Sequence, residues 1–386
     1  MFWLFLFLTI FWIVVLIDFI IGFRQIVSIE DYAPKPSHEL VSIIIAAKDE
    51  EISIQQTIES LIAQQDVRLE IIAVNDRSQD RTGLILNQLA EKHSQVRTIT
   101  IERLPEGWLG KNHALEQGVR ISSGHYLLFT DADIHFSNTS LSKAIHYLEL
   151  EEADHLTAAP NLIARSVPLK GLISFFLFGF GYLKRPWTAN QIQPRGGMGI
   201  GAFQLVTRKC YEGIGGHESI RFRPDDDLAL GMKIKKKGYK QRLATALHSL
   251  SVEWYPSFHS ALKGFEKNAF AGLNYSVLLG FTAIIGVIVS QILPFIFLFS
   301  SDAGVQIISA VNIVLLFYLY ALTTKHLTTY SRWIIFGLPI FALLFVYMLG
   351  RALILTWIRG GIVWRGSRYS LKELKQNFKD SEEDNH

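Results

Sequence analysis

The sequence predicts an α/β protein, a mainly parallel sheet between helices, with membrane-type apolar segments at both ends. Between Val41 and Thr130, apolar runs of strand length alternate with helically spaced segments, the order that right-handed crossovers impose on a parallel sheet. Met1 to Gly22 is apolar apart from Asp18, and three further apolar stretches follow residue 276. The chain is 49% hydrophobic with a mean hydropathy of +0.23, so part of it must meet lipid.

Taken in order, residues 1–23 are long enough to cross a bilayer, for which about 20 apolar residues suffice. They lack the basic start and small-residue cleavage site of a secretory signal, so a retained transmembrane anchor is expected. Arg24, Lys35 and Lys48 follow this segment and no Lys or Arg precedes it, which places the downstream domain in the cytoplasm and the chain in the plasma membrane as a multi-pass protein. A domain over 38–250 comes next. Its strands are expected at Val41–Ala47, Leu69–Val74, Val96–Ile101 and Tyr126–Thr130, and its helices at Ser53–Gln65, Asp80–His93 and Asn112–Ile121. A further helix should start at Asp225–Asp227 and reach Lys237, with Gly238 as its cap.

Composition narrows the function. Net charge is only +3, which gives no electrostatic reason to expect nucleic acid as a partner. Cys210 is the only cysteine, so no intramolecular disulfide can form and a reducing compartment fits the domain. In a sheet of this kind, ligands bind beyond the carboxyl ends of the strands. Those ends read Ala47-Lys48-Asp49-Glu50, Asn75-Asp76-Arg77-Ser78 and Asp131-Ala132-Asp133. No glycine follows the first strand for close phosphate approach, which disfavours a dinucleotide-binding, hydride-transferring enzyme.

Asp131-Ala132-Asp133 places two carboxylates where one hard cation, Mn²⁺ or Mg²⁺, can be held with positions open for diphosphate oxygens. A solvated turn capping the next helix is the competing reading. Asp49 and Asp76 can accept hydrogen bonds from a nucleoside, or be plain turn residues. Lys111 precedes a helix, where a cation and free backbone N–H groups could meet a pyrophosphate together; an exposed loop lysine is the alternative. The glycine-rich Gly196 to Gly201 allows close backbone approach, or is a plain turn. Asp225, Asp226 and Asp227 exceed what a helix cap requires, and one of them could take a proton from an acceptor hydroxyl. Lys233, Lys235, Lys236 and Lys237 read as a solvated face that could also meet anionic lipid. His113, His217, His248 and His259 have no metal-ligand spacing and read as ordinary.

Four motifs in order resemble family 2 of the glycosyltransferases, which have the GT-A fold: Val41-Ser42-Ile43-Ile44-Ile45-Ala46-Ala47-Lys48-Asp49-Glu50, Val74-Asn75-Asp76-Arg77-Ser78, Asp131-Ala132-Asp133 and Asp226-Asp227-Leu228-Ala229-Leu230. The resemblance implies a metal-dependent, inverting transfer of a single sugar from a nucleotide-sugar donor, expected to be a UDP-sugar. It implies donor contacts at Ala47, Asp49, Asp76, Lys111 and Asp131, a metal at Asp131 and Asp133, and catalysis by Asp227 as base with Asp226 beside it. Asp226 stands where the family usually has Glu, and Asn75 and Arg77 where Asp and Gly are usual. No Gln-x-x-Arg-Trp motif follows the base, so processive polymerisation is not expected. Leu104 to Asn112, Gly215 to Arg221 and Trp364-Arg365-Gly366 are similar to a membrane branch that acts on carotenoids and hopanoids, which implies a lipidic acceptor. Transfer to polyprenyl phosphate, or an inactive membrane scaffold of the same fold, are the competing readings.

The membrane portion is expected to hold an interfacial amphipathic helix over 256–275, two to three transmembrane helices over 277–358, with re-entry of one segment near Pro294 or Pro339 as the alternative to three crossings, and a basic then acidic cytoplasmic tail over 359–386. Leu172 to Leu183, rich in Phe and without charge, reads as too short to span, and as either a lipid-dipping or acceptor-lining segment or ordinary core.

Overall fold

The computed structural model describes residues 1–193, 196–262, 264, 276–359, 361–364 and 367–370. In chain order it opens with α1 (Phe2–Phe23), β1 (Val27–Ser28), β2 (Ser37–Ala47), α2 (Ile54–Ile62), β3 (Val67–Asp76), α3 (Thr82–Lys92), β4 (Val96–Ile101) and α4 (Gly110–Arg120). There follow β5 (Tyr126–Thr130), β6 (His135–Phe136), α5 (Ser140–Leu150), β7 (His155–Leu162), α6 (Val167–Lys184), β8 (Gln204–Thr207), α7 (Arg208–Gly213), α8 (Asp226–Lys236) and β9 (Gln241–Val252).

The chain divides into two compact units. One comprises 24–163 and 186–253 and contains, among the described residues, a nine-stranded mixed sheet in the order β1-β9-β7-β8-β5-β2-β3-β4, with β6 on β9. β2, β3, β4 and β5 are parallel neighbours, and β8 runs antiparallel between β5 and β7. The continuous apolar run of β2 has a simple cause. Ile43 and Ile45 point into one core with Ile58, Leu61 and Leu86, while Ile44 packs on the other face with Leu115, Val119 and Leu230. A strand covered on both faces has no polar side to show.

Observed elements lie within a few residues of those expected. β2 and β3 are longer than the apolar runs alone suggest, because pairing continues into the polar ends that carry the candidate site. α8 ends as anticipated: Gly238 has φ +83°, and Gly238 and Tyr239 return their N–H groups to Lys235 and Ile234. The lysine-rich end of α8 is not a uniformly solvated face, however. Lys235 is buried, and its ammonium donates to the carbonyls of Ala189 (2.8 Å) and Gln191.

The second unit comprises 1–23, 164–185 and residues from 254 onward. Among the described residues, five of the chain's helices are long and apolar enough to cross a membrane: Phe2–Phe23, Val167–Lys184, Val277–Phe297, Ala303–Leu327 and Arg332–Thr356. α6 is therefore longer than the Leu172 to Leu183 stretch expected, because Val167 to Gly171 extend it at the start with Pro168 in its first turn. It packs within this unit. Phe178 stacks on Trp12, Tyr182 meets the same indole edge-on, and Ser174 bonds Tyr320. A Cβ added to Gly171 would lie 2.0 Å from Phe341 Cε1. Asp18, the one charge of α1, forms a two-pronged ion pair with Arg185 just past α6. The span beginning at Val277 contains a π-helical turn at Ile288–Ile292 immediately before Pro294, whose ring cannot continue the regular ladder. Most of the expected 256–275 interfacial helix, and the tail from 371, lie outside the described residues.

Candidate functional site

The candidate site is built at the carboxyl edge of β2, β3 and β5. β3 delivers Asp76, almost fully buried and held by Arg77 through Nε–Oδ1 (2.8 Å) and Nη2–Oδ2 (3.1 Å) bonds. The start of α4 abuts this pair: a Cβ on Gly110 would sit 2.3 Å from Asp76 Oδ2. Lys111 follows, and its ammonium bridges Asp131 Oδ1 at 2.8 Å and Asp226 Oδ2 at 3.1 Å. Burial disfavours the charge on Lys111, yet the carboxylates of Asp131, Asp226 and Asp227 outweigh it and raise its pKa.

One glycine joins the two acidic segments. Gly201 O accepts from Asp131 N (3.0 Å), and Gly201 N donates to Asp227 Oδ2 (2.8 Å). A Cβ there would strike Asp131 Oδ2 at 2.6 Å. The glycine-rich segment before it lies directly on α8, since a Cβ on Gly231 would lie 2.0 Å from Met198 O. Gln241 fastens both, accepting from Met198 N and donating to Gly231 O. The Gly196 to Gly201 segment is thus a packed wall of the site.

The three consecutive aspartates at α8 are differently employed. Asp225 is paired with Arg223 at 2.7 Å, and Asp226 is buried against Lys111. Asp227 makes no ion pair among the described residues; its oxygens accept from the N–H groups of Gly201 and Leu228, both at 2.8 Å. Burial and the adjacent Asp226 charge raise its pKa. Asp49, in a left-handed conformation (φ 56°), is exposed and accepts from Gln79 N at 2.7 Å, joining the loops after β2 and β3. Ala47 ends β2 beside Asn75.

Asp131 and Asp133 follow β5. Asp133 is exposed at the open edge of the sheet, yet partial desolvation, then the charges of Asp131 and Glu50, push it up to about 7. That surplus of negative charge, offered by hard oxygen donors, fits a divalent cation of the Mg²⁺ or Mn²⁺ type. Among the described residues no cluster of three or more His, Cys, Asp or Glu side chains stands ready to hold a metal, so an ion on these two carboxylates would need other oxygens to complete its shell.

Lys111, Thr130, Asp131, Gly201 and Asp226 line an open pocket of about 210 Å³, together with Gln204 and His217. The last two were not expected there. His217 stands eight residues before the acidic triplet and Gln204 on a strand with no motif, so no local spacing marked either.

Residues 42–214 match the family described as glycosyl transferase family 2. That segment is a glycosyl transferase family 2 domain. The match takes in Asp49, Asp76, Lys111, Asp131 and Asp133 and ends before His217, Asp226 and Asp227, which enter the site through the fold alone. The glycosyl transferase family 2 domain also has a solved structural counterpart. A mannosyltransferase from Pyrobaculum calidifontis, solved with GDP-Man and Mn²⁺, matches with a TM-score of 0.52 at 18% identity over 92% of this chain and 98% of that one, so the GT-A fold is shared. A probable glycosyltransferase of Bacillus subtilis, YdaM, is 28% identical over 264 residues, 63% of this chain and 59% of that protein. A 4,4'-diaponeurosporenoate glycosyltransferase of Staphylococcus haemolyticus is 30% identical over 122 residues, 32% of each. The chain thus spans well under two thirds of the length of these curated relatives.

Proposed function

We propose that the chain is a membrane-bound, inverting glycosyltransferase that moves one sugar from a nucleotide-sugar, expected to be a UDP-sugar, to a lipidic acceptor. The observation that carries this reading is the junction of Asp131, Lys111, Asp226 and Asp227 at one sheet edge. Asp76, Asp49 and the end of β2 at Ala47 form the nucleoside side. Lys111, at the start of α4, can exchange its contact with Asp131 for the donor's diphosphate, where the helix N-terminus also favours negative charge. A divalent cation on Asp131 and Asp133, when bound, would neutralise the charge that develops on the departing diphosphate.

Asp227 is the base. It alone of the triplet makes no ion pair among the described residues, its carboxylate is held by two backbone N–H groups, and its raised pKa favours proton uptake. The acceptor oxygen attacks the anomeric carbon and loses its proton to Asp227, while the bond from that carbon to the diphosphate oxygen breaks. One displacement on the face opposite the leaving group inverts the configuration.

The apolar helices support a multi-pass protein of the plasma membrane with the sheet domain in the cytoplasm. α6 is not a through-crossing in this reading: β7 before it and β8 after it are strands of one sheet, so the chain must return to the side it left. A lipidic acceptor follows from placing a sugar-transfer site on a chain so largely apolar.

The test uses purified full-length protein in detergent. Nucleotide-sugars are screened for thermal stabilisation with and without Mn²⁺, since binding to the native state raises stability, and release of nucleoside diphosphate is then assayed with lipid extracts. Metal-dependent stabilisation by at least one donor, with release lost in Asp227→Asn, is expected. Stabilisation by none of the donors overturns the assignment.

A further inference from the structure

His217 is 1% exposed, and its ring meets Phe129 edge-on at 4.7 Å. Its Nδ1 lies 2.8 Å from the Tyr211 hydroxyl, and its backbone N donates to the same oxygen at 2.9 Å. That hydroxyl lies 3.0 Å from Glu116 Oε2, while Glu116 Oε1 faces Arg120 Nε at 3.5 Å. Gly216 makes the arrangement possible: it has φ 55°, and a Cβ there would be 2.9 Å from the Tyr211 ring.

Proton counting along this chain of contacts assigns the tautomer. An ionised Glu116 only accepts, and a tyrosine has a single proton to give. Tyr211 therefore donates to Glu116, and its oxygen must accept from His217, from the backbone N–H and from Nδ1–H together. Burial and the nearby Lys111 charge push the His217 pKa down to about 3, so the imidazole is neutral. With Nδ1 protonated, Nε2 is a bare acceptor, and it has no hydrogen-bond partner among the described residues.

His217 lines the pocket between Asp131 and Asp226. Gln204 lines it too, but it is 2% exposed and its side chain is engaged by His155, whose Nδ1 accepts from Gln241 and whose Nε2–H is left to donate to Gln204. The pocket lies between the residues assigned to the diphosphate and the base. In the proposed reaction that is where the transferred sugar sits. Its walls offer acceptors, Nε2 of His217 and the carboxylates of Asp131 and Asp226, with Lys111 already paired to both carboxylates. A buried acceptor left unsatisfied is costly, and a ligand rich in hydroxyl donors would satisfy these.

We propose that His217 Nε2 determines donor specificity, accepting a hydrogen bond from a hydroxyl of a neutral sugar, with Tyr211 and Glu116 as positioning residues that hold the tautomer. This rests on the glycosyl-transfer reading and deepens it. A uronate sugar is rejected, because its carboxylate would face acceptors and carboxylates.

The experiment measures affinities of the full-length protein for UDP-glucose, UDP-glucuronate, GDP-mannose and the parent diphosphates in Mn²⁺, beside His217→Phe and Tyr211→Phe. His217→Phe should weaken the preferred nucleotide-sugar about tenfold, as the loss of one good hydrogen bond implies, and leave its parent diphosphate unchanged. Tyr211→Phe should weaken the nucleotide-sugar without affecting the diphosphate. ¹⁵N-edited NMR of the imidazoles should show His217 protonated at Nδ1. Equal losses for sugar and diphosphate, a wild-type preference for the uronate, or an Nε2-protonated ring would overturn the proposal. A wild-type protein that binds no nucleotide-sugar would instead sink glycosyl transfer itself.

Discussion

Asp227→Asn is expected to lower kcat by about 10²–10⁴-fold, the usual worth of a general base, with donor affinity nearly unchanged. Asp225→Asn should do far less, because Asp225 is committed to Arg223. Steady-state release of diphosphate distinguishes the two. The acid limb of the rate profile should lie above the ordinary carboxylate range, since burial and Asp226 raise the Asp227 pKa; activity should fall as the pH drops through that value and the base becomes protonated. Lys111→Ala would leave Asp131 and Asp226 facing each other without their shared cation. The expected result is weaker diphosphate binding together with tighter metal binding at the unscreened carboxylates, read as a fall in the half-saturating Mn²⁺ concentration.

Elements hold these residues through contacts that leave little room. Gly231 on α8 abuts Met198 O, so Gly231→Ala must separate the glycine-rich wall from the helix that carries Asp227. A lowered thermal midpoint and a larger proportional loss of kcat than of donor affinity are expected. The strands bury histidines in neutral form. His155 on β7 has its Nδ1 bonded by Gln241 at 2.8 Å, and burial pushes it down to about 3, against roughly 6.5 for a free histidine. Between these values the unfolded chain binds a proton that the folded one refuses. Stability is therefore fully present above about 6.5 and is lost as the pH falls towards 3. His155→Leu should flatten that acid-side slope in a plot of thermal midpoint against pH.

Across the whole molecule, the sheet unit carries the candidate site and the helical unit, among the described residues, the helices apolar enough to cross a membrane. In the helical unit, Gly171→Ala drives a methyl into the ring of Phe341. It should lower the thermal midpoint in detergent, and Phe341→Ala should restore it. A thiol introduced at exposed Glu91 in a Cys210→Ser background tests sidedness: labelling by a membrane-impermeant reagent only after the cells are opened is the expected result. Labelling of intact cells would place the sheet domain outside.

What the sequence determined by itself was local in origin. Apolar runs and helical spacing identify β2 to β5 and their helices, because periodicity reports which faces meet the core. Acidic residues just past strands identify Asp76, Asp131, Asp133 and the 225–227 triplet as candidates, since side chains there stand at the open edge of the sheet. The tertiary structure alone decided how these are paired. Lys111 reaches Asp226 over 115 residues of chain, Asp227 is secured by Gly201, and Tyr211 sets the proton on His217 through Glu116. Such links join segments with no shared period, and burial, which makes His217 neutral and Lys235 a carbonyl-bound cation, belongs to the packed fold and to no stretch of sequence.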